Sequence, residues 1–276
     1  LAILVLVGAL HAGAATAGPA TFQDRLRGGG QGPVMVALPG GPVLLGEARR
    51  AVSLSPFAVA RDDVTNAEFA AFLNAQGEVD ADGIAYLVPR QPGDAPIVRK
   101  GGRHRAVRGR EAQPVTGVSW RGAIAYVHWL SRRTGHRYFL PTEAQWEYAA
   151  RAGGQTAWPW GEAFDPAQAN CGAMLDVATL KPVGSYPPNA FGLRDMVGNV
   201  WQWAADCFPA DPERLAAHDP DGYVADCLTP SIRGGAAPNV EALCQPTFRV
   251  NYWWRGAADT IGFRVVRLDT RPGAGT

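Results

Sequence analysis

The sequence contains no Cys-x-x-Cys and no His-x-x-x-His, and its five histidines are dispersed. No zinc framework can be assembled from such spacing. Charge is scarce as well: Asp, Glu, Lys and Arg make up 18% of the chain, and 26 basic against 25 acidic residues leave a net charge of +1. So balanced a charge gives no electrostatic reason to expect nucleic acid or an anionic membrane as a partner. The chain has no internal repeat and no linker that would divide it. Its apolar run at Leu1–Leu10 is too short for a stable membrane span.

What is abundant is equally informative. Hydrophobic residues reach 47% of 276, enough for a sizeable core. Gly 33 and Pro 22 imply a loop-rich fold rather than a helical bundle or a regular α/β sheet. Nine tryptophans are expected in the core and around one site. The opening run followed by Ala15-Thr16-Ala17 reads as the hydrophobic segment and small-x-small cleavage site of a secretory signal, with a buried strand as the alternative. Cleavage would leave a mature chain from near Gly18 in an oxidising compartment, periplasmic or secreted. Four cysteines, Cys171, Cys207, Cys227 and Cys244, suit that compartment and allow three pairings.

Val34–Leu38 and Val43–Leu45 read as an opening β-hairpin, and Phe57–Ala60 as another strand. Thr65-Asn-Ala-Glu68 is a capping box that starts a helix with Phe69, Phe72 and Leu73 on one face. Residues 77–113 lack periodicity and read as a surface excursion. Ser119 caps a helix from Trp120 to about Arg133, on which Ile124, Val127 and Leu130 recur at helical spacing, and Gly135 ends it. Thr142-Glu-Ala-Gln145 is a second capping box, opening a helix to Arg151 that stops at Gly153-Gly154. Beyond it lie turn residues, isolated tryptophans and short β-prone pieces such as Gly262–Arg267.

A series of phrases then falls in a recognisable order. Val64-Thr-Asn66, Pro114–Trp120, Leu140–Arg151, Trp158-Pro-Trp-Gly161 and Ala169-Asn-Cys171 lead into Pro182–Ser185, Asn189–Leu193, Met196–Trp203, Arg233-Gly-Gly235 and Gly262-Phe-Arg264. Together these resemble the formylglycine-generating enzyme (sulfatase-modifying factor) family over residues 30–268. Residues 18–29 would then be a leader of the mature chain and 269–276 a flexible tail. The resemblance implies an α+β fold: irregular, loop-rich, C-type-lectin-like and low in regular secondary structure. It also implies structural calcium. One set of ligands would be Asp195, Gly198, Val200 and Gln202, where the family usually has Glu at the last position. The other would be Asn170, the Cys171 carbonyl, Asp176 and a carbonyl near Ala178. Hard cations take such carboxylate, amide and carbonyl oxygens.

Family members that oxidise a substrate cysteine to formylglycine hold Cu(I) on two cysteines shortly after Arg-Gly-Gly. The second of these falls on Cys244 and the first on Asn239, and Ala236 stands where a Ser is usual. A lone thiolate beside an amide is a poor Cu(I) site, so neither copper nor formylglycine formation is expected. Cys244 is either a residual catalytic thiol or a disulfide partner of Cys171. Cys207 and Cys227 flank one loop, as similar cysteines do in bacterial relatives, and a disulfide there is worth about 3 kcal/mol. Glu241 is a general base if it is partly buried, and otherwise an exposed loop carboxylate. Tyr252, Trp253, Trp254 and Arg255 fall in the family's substrate-groove region and form either a binding patch or core. Arg233, Arg249 and Arg264 read as forks that tie carbonyl-rich loops together.

Three functions are compatible with this reading. The first is a non-oxidase that binds a peptide-like ligand, glycan or partner protein in the cell envelope. The second is a copper-independent enzyme acting on an exported peptide-derived small molecule, as periplasmic relatives in pyoverdine siderophore maturation do. The third is a genuine formylglycine-generating oxidase acting on a sulfatase cysteine.

Overall fold

The computed structural model describes residues 20–88, 95–172, 180–208 and 227–268. The signal-like run at 1–17, the tail at 269–276, Asp176, Ala178 and most of the loop between Cys207 and Cys227 lie outside the described residues.

Among the described residues three α-helices begin where side-chain caps place them: α1 Asn66–Gln76, α2 Trp120–Thr134 and α3 Glu143–Arg151. The first N–H groups of a helix have no partner within it, and an N-cap oxygen supplies one. Thr65 and Thr142 do so in full capping boxes with Glu68 and Gln145, and Ser119 accepts from Gly122 N. Gly135 ends α2 in the left-handed region, and Ala152 ends α3 in the same way ahead of Gly153. The apolar spacing of α1 and α2 becomes packing directly. Phe69 and Phe72 lie against Tyr126, and Phe72 also meets Trp129 edge-on.

The strands are short. They are β1 Thr21–Phe22, β2 Met35–Leu38, β3 Gly41–Leu45, β4 Arg50–Leu54, β5 Phe57–Ala60, β6 Ile97–Lys100 and β7 Arg103–Ala106, followed by β8 Tyr138–Phe139, β9 Trp201–Cys207, β10 Pro230–Arg233, β11 Arg249–Asn251, β12 Ile261–Gly262 and β13 Val266–Arg267. Among the described residues they form a five-stranded sheet in the order β1-β2-β5-β13-β8, a four-stranded sheet β11-β10-β9-β12, and the hairpins β3-β4 and β6-β7. This is a mixed, loop-rich α+β architecture of the kind expected, consistent with a C-type-lectin-like fold.

Two expectations are corrected. The opening segments do not pair with each other: β2 pairs with β1 and β5, while β3 pairs with β4. Gly40 between them has φ 67° and sits so close to the Leu54 and Ser55 carbonyls that a Cβ would collide, which turns the chain out of the first sheet. Gly262–Arg267 is not one strand either, because β12 joins β9 in one sheet and β13 joins β5 and β8 in the other. The segment expected as a leader of the mature chain pairs with the first sheet at Thr21–Phe22. Beyond the β1 pairing, buried Asp24 accepts from Tyr138 Oη at 2.6 Å and pairs with buried Arg267 at 2.6 Å. A two-residue strand has no periodicity that the sequence alone could reveal.

Candidate functional site

Two glycines fix the region after Arg-Gly-Gly. Gly235 has φ 72°, and a Cβ there would fall 2.4 Å from Cys244 Sγ. Gly198 has φ 76°, and its Cβ would meet Asn170 O at 2.3 Å and Cys171 Cβ at 3.2 Å. Backbone that close draws the Ala169–Cys171 segment onto the 3₁₀ turn Glu241–Cys244. Cys171 and Cys244 are joined in a disulfide there, and Cys207 and Cys227 form the second, so no cysteine is free. Trp158, Ala169 and Val197 pack around the first bridge, and the stacked pair Trp158–Trp160 lies beside it.

Asn239 uses its side chain locally. Its Oδ1 accepts from Ala236 N at 2.8 Å, its own N–H returns to Ala236 O at 2.9 Å, and its carbonyl accepts from Gly172 N at 2.8 Å. Cys171 Sγ lies 3.6 Å from that carbonyl. The structure thus brings Cys171, Ala236, Asn239 and Cys244 together. It makes Asn239 a turn closer and Cys244 a disulfide partner. Glu241 stands exposed on the outer side of the turn, without the burial on which a role as general base depended.

The Tyr252–Arg255 segment is held elsewhere, by Tyr252 N to Pro230 O at 3.0 Å and Trp254 N to Leu228 O at 3.1 Å. Its members divide between the two readings. Tyr252 packs edge-on against buried Trp203, whereas Trp253 is 56% exposed. Trp254 lies between the guanidiniums of Arg121 and Arg255.

The first proposed calcium set meets a chemical obstacle at Gln202, which is fully buried. Trp146 Nε1 and Arg264 Nε, groups that can only donate, both point at Gln202 Oε1 from 2.7 Å. That settles which end of the amide is oxygen, and the NH₂ end donates to Asp195 O at 2.8 Å. Arg264 Nη2 approaches the same carbonyl at 3.3 Å, and Asp195 Oδ2 accepts from Gly184 N at 2.6 Å. The side-chain oxygen and the carbonyl that would face a cation face N–H groups instead, so Asp195 and Gln202 do not fit calcium as this chain arranges them. Of the second set, Asn170 Nδ2 donates to Asn199 Oδ1 at 2.9 Å.

Arg264 is the centre of this knot. It also reaches Ala60 O, Arg61 O, Arg194 O and the Asp63 carboxylate, the last at 2.9 Å. Burial raises the Asp63 pKa to about 8 against the opposing pull of Arg264, with Asp195 and Asp62 adding to the rise. Asp195 is raised in the same direction, again mainly by burial. A carboxyl raised in the folded state holds a proton that the unfolded chain releases near pH 4. Its stabilising contribution is therefore complete below about pH 4 and is lost as pH rises through about 8. Urea midpoints should fall across that window, and Asp63→Asn should flatten the fall; an unchanged slope in the variant would count against the assignment.

One cluster had no counterpart in the sequence reading. Glu143 and Glu147 sit four apart on α3, and both are buried. Glu147 accepts on both oxygens, from Arg233 Nη2 at 2.8 Å, Arg151 Nε at 2.9 Å and Gly46 N at 2.7 Å. Glu143 pairs with Arg249 at 2.7 Å through Oε2, and Arg233 lies 3.9 Å from the same oxygen. The signal was present: two acids at i and i+4 on a helix whose spacing turns that face inward require buried cations.

Residues 21–268 match the sulfatase-modifying factor enzyme 1-like domain, and the protein belongs to that family, the family of the formylglycine-generating enzymes. It is 32% identical to the formylglycine-generating enzyme of Mycobacterium tuberculosis, over 84% of this chain and 97% of that protein. It is 33% identical to the mouse inactive C-alpha-formylglycine-generating enzyme 2, over 89% of each. Among solved structures it is similar to PvdO from Pseudomonas aeruginosa, with a TM-score of 0.69 and 32% identity, covering 92% of this chain and 99% of that one.

Proposed function

We propose that this chain is an exported, non-oxidase member of the family that binds or modifies a peptide-like ligand in the periplasm or outside the cell. The observation that carries the reading is the state of the residues at the family's copper position. Asn239 is consumed in closing its own turn, and Cys244 is tied to Cys171. A soft Cu(I) ion needs thiolates, and a turn-capping amide oxygen cannot replace one. Pairing of all four cysteines supports an oxidising compartment. Among the described residues, no helix is long and apolar enough to cross a membrane. The likeness to PvdO supports an enzymatic form of the same reading, maturation of an exported peptide-derived small molecule without copper.

The test is direct. Incubated with Cu(I), a reductant, oxygen and a Cys-x-Pro-x-Arg peptide, the protein should leave the peptide thiol unoxidised. Mass spectrometry showing multiple-turnover conversion of that thiol to an aldehyde would overturn the proposal and restore the oxidase. Asn239→Cys combined with Cys171→Ser should gain Cu(I) binding, because it frees Cys244 and supplies the second thiolate.

A further inference from the structure

The molecule has a cavity of about 690 Å³ that shares no lining residue with the Cys171–Asn239–Cys244 region. One wall is the β3-β4 hairpin, through Leu45, Ala51 and Val52, and Phe248 contributes apolar surface opposite the α3 face. Glu143, Glu147, Arg233 and Arg249 also line it. The volume falls in the range that holds small organic ligands, and mostly apolar walls with a few fixed polar groups are the usual composition of such sites.

The polar groups specify the kind of ligand. Glu147 already has three donors across its two oxygens. Glu143 is different. Its side chain is 3% exposed, Oε2 takes the Arg249 ion pair, and Oε1 has no hydrogen-bond partner among the described residues. Arg249 Nε and Arg233 Nε are likewise buried donors without a hydrogen-bond partner among them. Leaving a buried carboxylate oxygen and two buried N–H groups unpaired is costly, and a site designed for a ligand is where such groups are retained. The charges balance: Glu47, Glu143 and Glu147 line the cavity with Arg50, Arg233 and Arg249. A net charge brought into this setting would lose its water without gaining a counter-ion.

We propose that this cavity binds a small, largely apolar organic molecule that ends in an uncharged group pairing a donor with an acceptor, of the carboxamide kind. Binding requires the Glu143 side chain to turn toward the cavity, because Oε1 and the arginine Nε groups have almost no accessible surface as they stand. The N–H of the amide then donates to Glu143 Oε1 and its oxygen accepts from an arginine Nε. Only the choice of a peptide-like probe rests on the reading of the preceding subsection, and copper-dependent oxidation there is a separate measurement.

The probe is N-acetyl-L-tyrosinamide, compared with the carboxylate N-acetyl-L-tyrosine and the cation L-tyrosinamide, each titrated to millimolar concentration against the whole chain. The neutral amide should shift the backbone NMR signals of Gly46, Ala144, Thr247 and Phe248 in a saturable way, and both charged relatives should bind about tenfold more weakly. Glu143→Gln should weaken the neutral amide about tenfold. Because that change sits in a buried ion pair, Ala51→Trp is the second variant. Ala51 is exposed on the hairpin at the edge of the cavity, so the substitution should leave the fold intact and abolish the shifts. Absence of saturable shifts at those residues, persistence of them in Ala51→Trp, or tighter binding of either charged relative would each overturn the inference.

Discussion

Replacing Arg264 by methionine is expected to remove about 3–5 kcal/mol of stability, the cost of stripping one partner from a buried charge network. The side chain is fully buried and serves Gln202 Oε1, Asp63 and the carbonyls of Ala60, Arg61, Arg194 and Asp195. Methionine keeps most of the volume and loses every donor, so those oxygens stay buried with fewer partners. Against a typical total of about 5–15 kcal/mol, a loss of that size is a large fraction of the fold's margin. The check is the urea midpoint of the purified variant beside the parent. A change within about 0.5 kcal/mol, the range of ordinary surface substitutions, would show that the knot around Gln202 does not hold the two sheets together.

Loss of the Cys171–Cys244 bridge is the second large effect. The two cysteines are 73 residues apart, and loop-closure entropy for such a span corresponds to about 4 kcal/mol. Cys207–Cys227, with a separation of 20, corresponds to about 3 kcal/mol. Cys171→Ser with Cys244→Ser should therefore lower the melting temperature more than Cys207→Ser with Cys227→Ser. The packing adds to the ranking, because Cys244 is completely buried beside Trp158. Thermal melts of the two double variants under non-reducing conditions make the comparison. The reverse order would mean that the Cys171–Cys244 bridge adds little to the fold.

Much of this protein was legible in its sequence because the deciding forces are local. Thr65, Ser119 and Thr142 satisfy N–H groups within three residues of themselves, so each helix start is written in four consecutive letters. The apolar spacing of α1 and α2 likewise announced which faces would be buried, and the ordered phrases from Val64 to Arg264 carried the family. The opening hairpin was misread because strand partners are chosen across the fold: β2 and β3 are adjacent in sequence, yet they enter different sheets. Cys171 became the partner of Cys244 only because Gly198 and Gly235 let two distant backbones approach to contact. Gln202 could be read as a weakened metal ligand until Trp146 and Arg264, 56 and 62 residues away, were seen to donate to its oxygen. Glu143 and Glu147 drew no reading from the sequence, because only β10 and the β11 segment bring Arg233 and Arg249 to them. The sequence determined the elements and the family, since caps and periodicity act over a few residues. Tertiary structure decided the chemistry of every polar site, since a buried charge or amide takes its meaning from partners that only chain folding brings within three ångströms.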